Sequence, residues 1–568
     1  MTHAGNQTLS DLAALYWDRR LEADPIEATL LGDHRFDDRL PDPRPAANEA
    51  ILDGLAGLAT RVKQVDEATL STSERVTRAA LLGEIENDIA ARRCAIADWA
   101  VDPRDGPHVT FQNLAQLTAV VRPEDGDAMV SRWQKMSGYL DERIANLRRS
   151  AEQGRIATEG SVTRVLAQLD ELLAEPDERW VLLAPARAPH PQWDPARLDR
   201  FRAALTNIVV HQIRPAFARY RQIIADEIRP RARDDAHGGL DQIPDGAASY
   251  ERLIHIHTSL SASPDEIHAI GLEEGARINA EMVELGEKLF GTRDLAAIQT
   301  RLRKDPALYF SSREQVEAKA EEALRRAEAA MPRWFGRITR IPCEVLRVEA
   351  YEEKDTTIAY YRQPSVDGTR PGRYYINTYA PETRPRYEAE ALAFHESVPG
   401  HHTQIALAME EPDVPEFRRH LGVTAYVEGW ALYTERLADE MGLYSGDLDR
   451  MGMLSFDAWR ASRLVVDTGL HARGWSRQRA RDYMRDNTAL AENNIDNEVD
   501  RYLGWPGQAL AYKLGQREIF ALRRECQQRL GARFTMRGFH DEVLRHGAVS
   551  LAILRAELTR WASAAPSS

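Results

Sequence analysis

Between positions 390 and 435, two polar clusters interrupt segments that are otherwise apolar and helix-forming. The first, E-A-L-A-F-H-E-S-V-P-G-H-H-T-Q, contains His395, Glu396, His401 and His402, and the second, A-Y-V-E-G-W-A-L-Y-T-E, contains Glu428. Burying ionisable groups among apolar residues is costly unless a cation or an opposite charge offsets the cost. We therefore predict two helices that bring these side chains to a common point, which is a strong constraint on the fold.

Two imidazoles and one carboxylate form the ligand set of a catalytic zinc ion that keeps its fourth position open for water. The pattern predicts His395 as the first ligand and Glu428 as the third, with zinc as the metal. Glu396 follows the first histidine, where a general base is needed. The alternative for Glu428 is a buried carboxylate paired with an arginine. Seven residues later, Glu435 is predicted to be an exposed helix acid rather than a residue behind the metal ligands.

The second ligand is left open between two neighbouring histidines, because Pro399 replaces the second histidine of the common H-E-x-x-H pattern. In a regular helix, His402 returns to the face of His395 about 10 Å further along the axis. His401 reaches that face only if the turn is widened, as Pro399–Gly400 would do by removing a backbone donor. We favour His401 slightly, and expect the other histidine to orient a ligand or contact the substrate.

Charge and cysteine content restrict the function classes. The net charge of −14 without a basic stripe argues against nucleic-acid binding. The three cysteines, Cys94, Cys343 and Cys526, are far apart in the sequence and are predicted to be reduced thiols. The first residues lack a basic segment followed by an apolar run, and no later stretch is apolar enough to span a bilayer. We therefore predict a cytoplasmic protein without a membrane partner, whose oligomeric state the sequence does not indicate.

Helical periodicity dominates the chain and predicts a mainly α fold. The helical patterns of the first half lie at 9–31, 45–64, 71–97, 110–121, 126–152, 158–175 and 196–228. Ser263–Glu266 is typical of a helix start with a capping box. Short β-branched and aromatic segments at 343–351, 357–363 and 373–379 predict a small sheet, within about 340–380, just before the metal helix. We predict an N-terminal helical region at 1–248 and a catalytic region at 249–568, forming one continuous structural unit.

The two polar clusters also resemble the bacterial family designated domain of unknown function 885, which has H-E-x-x-P-G-H-H and E-G-W-A-L-Y patterns. Further landmarks of this resemblance are Pro25–Asp33, Val466–His471 and Arg501–Gly515. The resemblance implies a zincin-like metallopeptidase with a large helical body and a deep cleft, as in angiotensin-converting enzyme. Those relatives have the unbroken H-E-x-x-H pattern. The additional residues between the histidines of this chain leave open which histidine is the second ligand.

The landmarks supply candidates for the remaining roles. A developing oxyanion needs a donor of fixed geometry, and the candidates are His471, Tyr502 and Tyr512, each of which has core packing as its alternative. A substrate carboxylate needs a cation, for which Arg501 and Lys513 are candidates, with surface ion pairs as their alternative. The predicted catalytic residues are Glu396, His471 and Tyr512, and the predicted substrate contacts are Arg501, Tyr502, Gln508, Lys513 and Asn377.

These features favour a cytoplasmic zinc-dependent hydrolase that cleaves amide bonds of short peptides or peptide-like substrates. A carboxypeptidase or dipeptidase is the form we expect, since a deep cleft excludes folded proteins. One alternative is a zinc amidohydrolase with a specialised small-molecule substrate, because a fold and a metal site do not determine the substrate. The other is a helical binding protein without turnover.

Overall fold

The structure, a computed structural model, describes residues 3–350, 353, 357–365, 370–411 and 414–564. It is mainly α-helical with one small sheet, so the predicted fold class is confirmed. The helices of the first half are α1 His3–Ala23, α2 Pro25–Leu30, α3 Pro45–Lys63, α4 Thr72–Cys94, α5 Ile96–Trp99, α6 Pro107–Leu117, α7 Pro123–Glu152, α8 Glu159–Ala174, α9 Ala184–Arg187, α10 Pro195–Ile208, α11 Arg214–Ile223 and α12 Gly246–Thr258.

The second half continues with α13 to α25 and contains the sheet. Its helices are α13 Pro264–Phe290, α14 Leu295–Lys304, α15 Arg313–Trp334, α16 Ala389–Glu396, α17 His401–Met409, α18 Glu416–Arg419, α19 Thr424–Glu440, α20 Asp447–Ala472, α21 Arg477–Asn487, α22 Glu492–Gly504, α23 Ala511–Leu530, α24 Met536–Leu544 and α25 Leu551–Ser563. The strands are β1 Cys343–Arg347, β2 Ala359–Arg362 and β3 Gly372–Ile376. All three predicted strands are present.

Proline marks many of the helix starts. Pro45, Pro123 and Pro264 each occupy the first turn of their helix, where the missing backbone N–H would have had no partner within the helix. The predicted capping box at Ser263 is confirmed, because the Ser263 side chain accepts from the backbone N–H of Glu266 and the Glu266 side chain accepts in return. These local signals explain why the helical boundaries agree closely with the sequence pattern.

Two compact units divide the chain. The first comprises residues 1–69 and 84–249, and the second comprises residues 70–83 and 250–568. The core of the first unit is built on α7, whose Trp133, Met136 and Leu140 are fully buried among helices α6, α8, α10 and α11. The candidate site residues all lie in the second unit. That the two regions form one continuous structural unit stays a prediction.

The sheet lies immediately before the metal-binding segment in the sequence. β3 is its central strand, parallel to β1 with Val345 opposite Tyr374, and antiparallel to β2 with Tyr361 opposite Tyr374. Tyr374 and Ile376 are buried, because β3 contributes to the same core as α15, α16, α19 and α23. Within the described ranges, no helix combines the length and apolarity that crossing a membrane requires.

Glycines allow α19 and α23 to pack backbone against backbone. Gly429 of α19 faces Gly515 of α23, and a Cβ at either position would collide with the backbone of the other helix. Neither helix can rotate or shift without a larger side chain entering the contact. The close approach therefore fixes the position of Glu428, the residue directly before Gly429.

We expect Gly429→Ala to lower the free energy of unfolding by about 1–3 kcal/mol, because the added methyl group would force α19 away from α23. The control is Gly275→Ala in α13, where the nearest side-chain atom is 3.9 Å from a new Cβ. That substitution should be neutral or stabilise the protein by up to about 1 kcal/mol. Urea unfolding in the presence of chelator measures both effects, and equal midpoints for the two variants would contradict the packing argument.

Candidate metal centre

A short turn separates the two histidine-bearing helices. α16 ends at Glu396 and α17 begins at His401, so the intervening residues 397–400 break the helix that an H-E-x-x-H site would use. Gly400 is required within this turn, since a Cβ there would collide with the carbonyl oxygen of His395. Trp430 of α19 holds the turn by donating its indole N–H to the Pro399 carbonyl at 3.0 Å. Because of this turn, the centres of the His395 and His401 rings lie 4.8 Å apart, and the two ring planes are nearly perpendicular.

His395, His401 and Glu428 converge on one point. The Glu428 Oε2 atom is 3.6 Å from His395 Nε2 and 3.5 Å from His401 Nε2, and the three ligand atoms lie within 4.8 Å of one another. These separations are too long for good hydrogen bonds, and Glu428 Oε2 is buried without a hydrogen-bond partner. Ligand atoms at 2.0–2.2 Å from a tetrahedral zinc ion are themselves about 3.3–3.5 Å apart. The three residues therefore fit a divalent cation.

Electrostatics also suit a cation at this point. Burial would raise the pKa of Glu428, but the imidazoles of His395 and His401 hold the pKa of this carboxyl well below its usual range. Burial would lower the pKa of His395, but its contacts with Glu428 and Glu435 outweigh burial and raise the pKa to about 9. The surroundings thus keep Glu428 ionised and favour positive charge beside it.

Glu435 supports His395 from behind. Its Oε1 atom accepts a hydrogen bond from His395 Nδ1 at 2.8 Å, and its side chain is only 1% exposed. The prediction of an exposed helix acid was wrong, because seven residues are about two helical turns and place Glu435 on the same buried face of α19 as Glu428. Since Nδ1 donates to Glu435, a neutral His395 has its lone pair on Nε2, which faces Glu428.

His402 is directed away from this point, which corrects its prediction as a metal ligand. Its Nε2 donates to the Ile341 carbonyl at 3.0 Å, and its Nδ1 accepts from the Tyr361 hydroxyl at 2.9 Å. Burial lowers the pKa of His402 to about 4, so the ring is neutral. Gly372 of β3 leaves room for this ring, because a Cβ there would collide with it. His402 joins α17 to the sheet, and the structure brings His401 to the other ligands.

Glu396 is the last residue of α16 and is half-buried beside His395. Within the part of the chain that the structure describes, its carboxylate makes no hydrogen bond or ion pair. The buried Tyr374 of β3 lies nearby, and after burial itself the Glu396 charge is what most raises the pKa of this phenol. A half-exposed carboxylate next to the ligands and without a partner can accept a proton from a bound water molecule.

The charge of Glu428 acts on Tyr512, whereas His471 is a core histidine. Burial and then the Glu428 charge raise the pKa of the half-buried Tyr512 hydroxyl. The His471 Nε2 atom donates to the Tyr502 carbonyl at 2.9 Å, and its ring packs on Tyr250. The predicted catalytic role of His471 is corrected accordingly, because this nitrogen is hydrogen-bonded to a backbone carbonyl of α22.

Most predicted substrate contacts have partners within the protein. Arg501 binds both oxygens of Glu498 and donates to Gln508 at 2.7 Å. The hydroxyl of Tyr502 donates to the same Glu498 at 2.6 Å and is fully buried. Arg501 and Tyr502 are thus parts of an internal network, which corrects their prediction as substrate contacts. Gln508 belongs to this network through the hydrogen bond that it accepts from Arg501.

Lys513 and Asn377 are structural residues. The Lys513 ammonium is fully buried and pairs with Asp457 and with Gln516, so a substrate carboxylate does not reach it without breaking this ion pair. The Asn377 side chain donates to the carbonyls of Glu353 and Thr357 and accepts from the backbone N–H of Tyr379. Both predictions as substrate contacts are corrected, because buried polar side chains satisfy the backbone and buried charges pair.

The sequence pattern did not identify two arginines of α20 that lie beside candidate site residues. Arg460 and Arg463 lie in D-A-W-R-A-S-R and are buried next to Glu435 and Tyr512 respectively. Their spacing of three places both on one helix face, which was the available signal. Sequence alone does not separate such a pair from the many exposed arginines of this chain.

Comparison with known proteins agrees with the fold and with the family that the sequence resembles. Residues 25–558 match the model of a family described as "Bacterial protein of unknown function (DUF885)". The chain belongs to this family. No curated protein matches the chain at a significant level.

Two solved structures are similar to this chain along nearly their whole length. One, from Colwellia psychrerythraea, is described as a "putative lipoprotein"; it has 25% sequence identity and a TM-score of 0.89, covering 98% of this chain and 99% of that chain. The other, from Shewanella oneidensis, is described as a "putative lipoprotein of unknown function", with 18% identity and a TM-score of 0.77, covering 97% and 99%. The second likeness shows the fold alone.

The two neighbouring histidines should respond differently to substitution. His401→Ala should reduce metal affinity by more than about 100-fold, because it removes a ligand rather than a residue behind one. His402→Ala should retain the metal but lower the free energy of unfolding by about 1–3 kcal/mol, since Tyr361 and Ile341 lose their partner. Metal titration and chemical unfolding test this, and loss of metal in the His402 variant alone would reverse the assignment.

Glu435→Gln should weaken metal binding by about 10- to 100-fold, because a neutral amide orients and polarises His395 less well than a carboxylate does. Glu440→Gln is the matched control on the same helix, where the acid pairs with Arg523 near the surface. Competition with a chelator of known affinity gives the two constants. Equal metal affinities in the two variants would show that Glu435 does not contribute to metal binding through His395.

Proposed function

We propose that this protein is a zinc-dependent hydrolase that cleaves amide bonds of short peptides or peptide-like substrates. The observation that carries the proposal is the convergence of His395, His401 and Glu428, with Glu396 directly after the first ligand. The Glu396 carboxylate has no hydrogen-bond or ion-pair partner among the described residues. Two nitrogens and one oxygen are a catalytic rather than a structural zinc set. When bound there, zinc would supply Lewis acidity and lower the pKa of a coordinated water molecule.

The chain's own residues would divide the proton transfers between them. Glu396 would accept a proton from water at its carboxylate and pass it to the leaving amine nitrogen. Tyr512 would donate its hydroxyl hydrogen to the carbonyl oxygen as negative charge develops there. Glu435 would keep the His395 lone pair directed at the metal by accepting from Nδ1. Two observations support these roles: Glu435 is hydrogen-bonded to His395, and the Glu428 charge acts on the Tyr512 hydroxyl.

The described edges of the sheet fit a peptide substrate. β1 and β2 are the outer strands, and Tyr361 of β2 is bonded to His402 next to the metal centre. An extended peptide can add to such an edge through main-chain hydrogen bonds. The cytoplasmic location and the carboxypeptidase or dipeptidase form stay predictions, and the lipoprotein descriptions of the two similar structures make an envelope location a competing outcome.

Metal analysis of the purified protein, followed by digestion of a peptide library with and without chelator, tests the proposal. Stoichiometric zinc with chelator-sensitive cleavage is the expected result. Zinc without peptide cleavage would instead support an amidohydrolase of a specialised small molecule. Absence of stoichiometric metal after zinc titration would overturn the proposal in favour of a helical binding protein.

We expect Glu396→Gln to retain the metal with affinity close to that of the original protein, yet to lose at least about 100-fold in kcat, because the amide cannot accept the proton. Glu382→Gln, at an exposed position, is the control and should leave kcat unchanged. Zinc titration and steady-state kinetics on the same preparations separate binding from chemistry. Unchanged kcat in Glu396→Gln would show that another group is the base.

A further inference from the structure

Two arginines of α20 have their flat faces covered by aromatic rings. Arg460 and Arg463 are 5% and 4% exposed, and their guanidinium carbons lie 4.2 and 4.3 Å from the ring centre of Trp459. Arg460 also packs on Phe456, and Arg463 on the ring of Tyr512 at 4.5 Å. Because the faces are covered, only the N–H edges of the two groups remain to bind anything.

Several N–H groups on those edges donate no hydrogen bond to any described residue. Arg463 donates from Nε to the Tyr502 hydroxyl at 3.1 Å and from Nη2 to Glu498 at 3.0 Å. Its Nη1 is buried and has no acceptor among the residues that the structure describes. The same holds for the Nε and Nη1 atoms of Arg460, and its Nη2 is 4.0 Å from Glu435. Buried charged donors without acceptors are costly and rarely persist without a reason.

The carboxylates around these arginines do not occupy all of their donors. Arg463 and Arg501 pair with Glu498, and Arg460 approaches Glu435, which already accepts from His395. Glu388 and Asp467 are affected by the charges of Arg460 and Arg501 respectively. Among the described residues, none of these carboxylates accepts from Nη1 of Arg463 or from Nε or Nη1 of Arg460. An anion that reached this cluster would supply the missing acceptors.

The cluster adjoins the candidate metal centre through Glu435. Nη2 of Arg460 is 4.0 Å from this carboxylate, which accepts from His395 at 2.8 Å. Arg463 lies one helical turn further along α20 and packs on Tyr512. The sequence-based candidates for this task differ from Arg463, because all three nitrogens of Arg501 donate to Glu498 or Gln508 and Lys513 pairs with Asp457.

We propose that Arg460 and Arg463 form a carboxylate-binding subsite beside the metal centre, which selects substrates with a carboxylate on the leaving side of the scissile amide. This inference rests on the proposed hydrolase function and deepens it. Arginine suits the role because its planar edge matches the two oxygens of a carboxylate. The carboxylate would come from a free peptide C-terminus or from an acidic side chain of the last residue.

Binding tests the subsite without catalysis. Calorimetry would compare N-acetylphenylalanine with its amide, on the full-length protein as purified and after treatment with chelator. We expect the acid to bind at least about tenfold more tightly in both samples, and Arg463→Met and Arg460→Met to remove this difference. Arg523→Met, which breaks a pair with Glu440 elsewhere, is the control and should keep it. Equal affinity of acid and amide for the unsubstituted protein would overturn the subsite, whether or not the variants fold.

Cleavage distinguishes the two sources of the carboxylate. Three forms of one peptide are compared: the free acid, the C-terminal amide, and the amide with glutamate as its last residue. Preference for the free acid alone indicates recognition of the C-terminus, and equal use of the first and third indicates recognition of any nearby carboxylate. Equal cleavage of the free acid and the simple amide would overturn the subsite while the hydrolase function stands. If none is cleaved, the proposed function fails and the binding result still decides the subsite.

Discussion

The approach of the Glu428 carboxylate to the imidazoles of His395 and His401 is the contact on which the centre of this molecule depends. The Oε2 atom of Glu428 is buried and has no hydrogen-bond donor among the described residues, which is unfavourable, so the surrounding backbone has to enforce its position. Three neighbouring residues of α19 contribute to this. Glu428 faces the histidines, Gly429 allows contact with Gly515, and Trp430 holds the turn between the histidine helices. The E-G-W sequence is thus a structural unit as well as part of the candidate metal site.

Further polar residues surround this contact and interact with its charged groups. Glu435 receives the N–H of His395, and Arg460 approaches Glu435 from the other side. His402 has a different task, because its two nitrogens tie α17 to the sheet and to the carbonyl before β1. The guanidinium groups of Arg460 and Arg463 set this side of the candidate centre apart from the close packing of α19 on α23. The proposed hydrolysis of small acidic amides would use the candidate metal ligands, Glu396 and these two arginines.

Local patterns predicted the fold class well. The three short strands, the capping box at Ser263 and most helical ranges depend on neighbours within about ten residues, so periodicity and turn residues specify them. The roles of individual side chains were predicted less well. His471, Lys513 and Asn377 have the chemistry of site residues, but each is bound by a partner far away in the sequence or by the backbone. Arg501 is bound by nearby side chains, those of Glu498 and Gln508.

By itself, the sequence determined the helical body, the small sheet before the histidines, and the residue types able to hold a metal, because composition and short-range periodicity carry that information. Tertiary structure alone decided which histidine joins Glu428, since Gly400 and Trp430 shape a turn that no helical repeat describes. It also decided that Glu435 is buried and that Arg460 and Arg463 lie beside the centre. The physical reason is that burial and charge pairing depend on which helix faces meet, and that is a property of the packed chain.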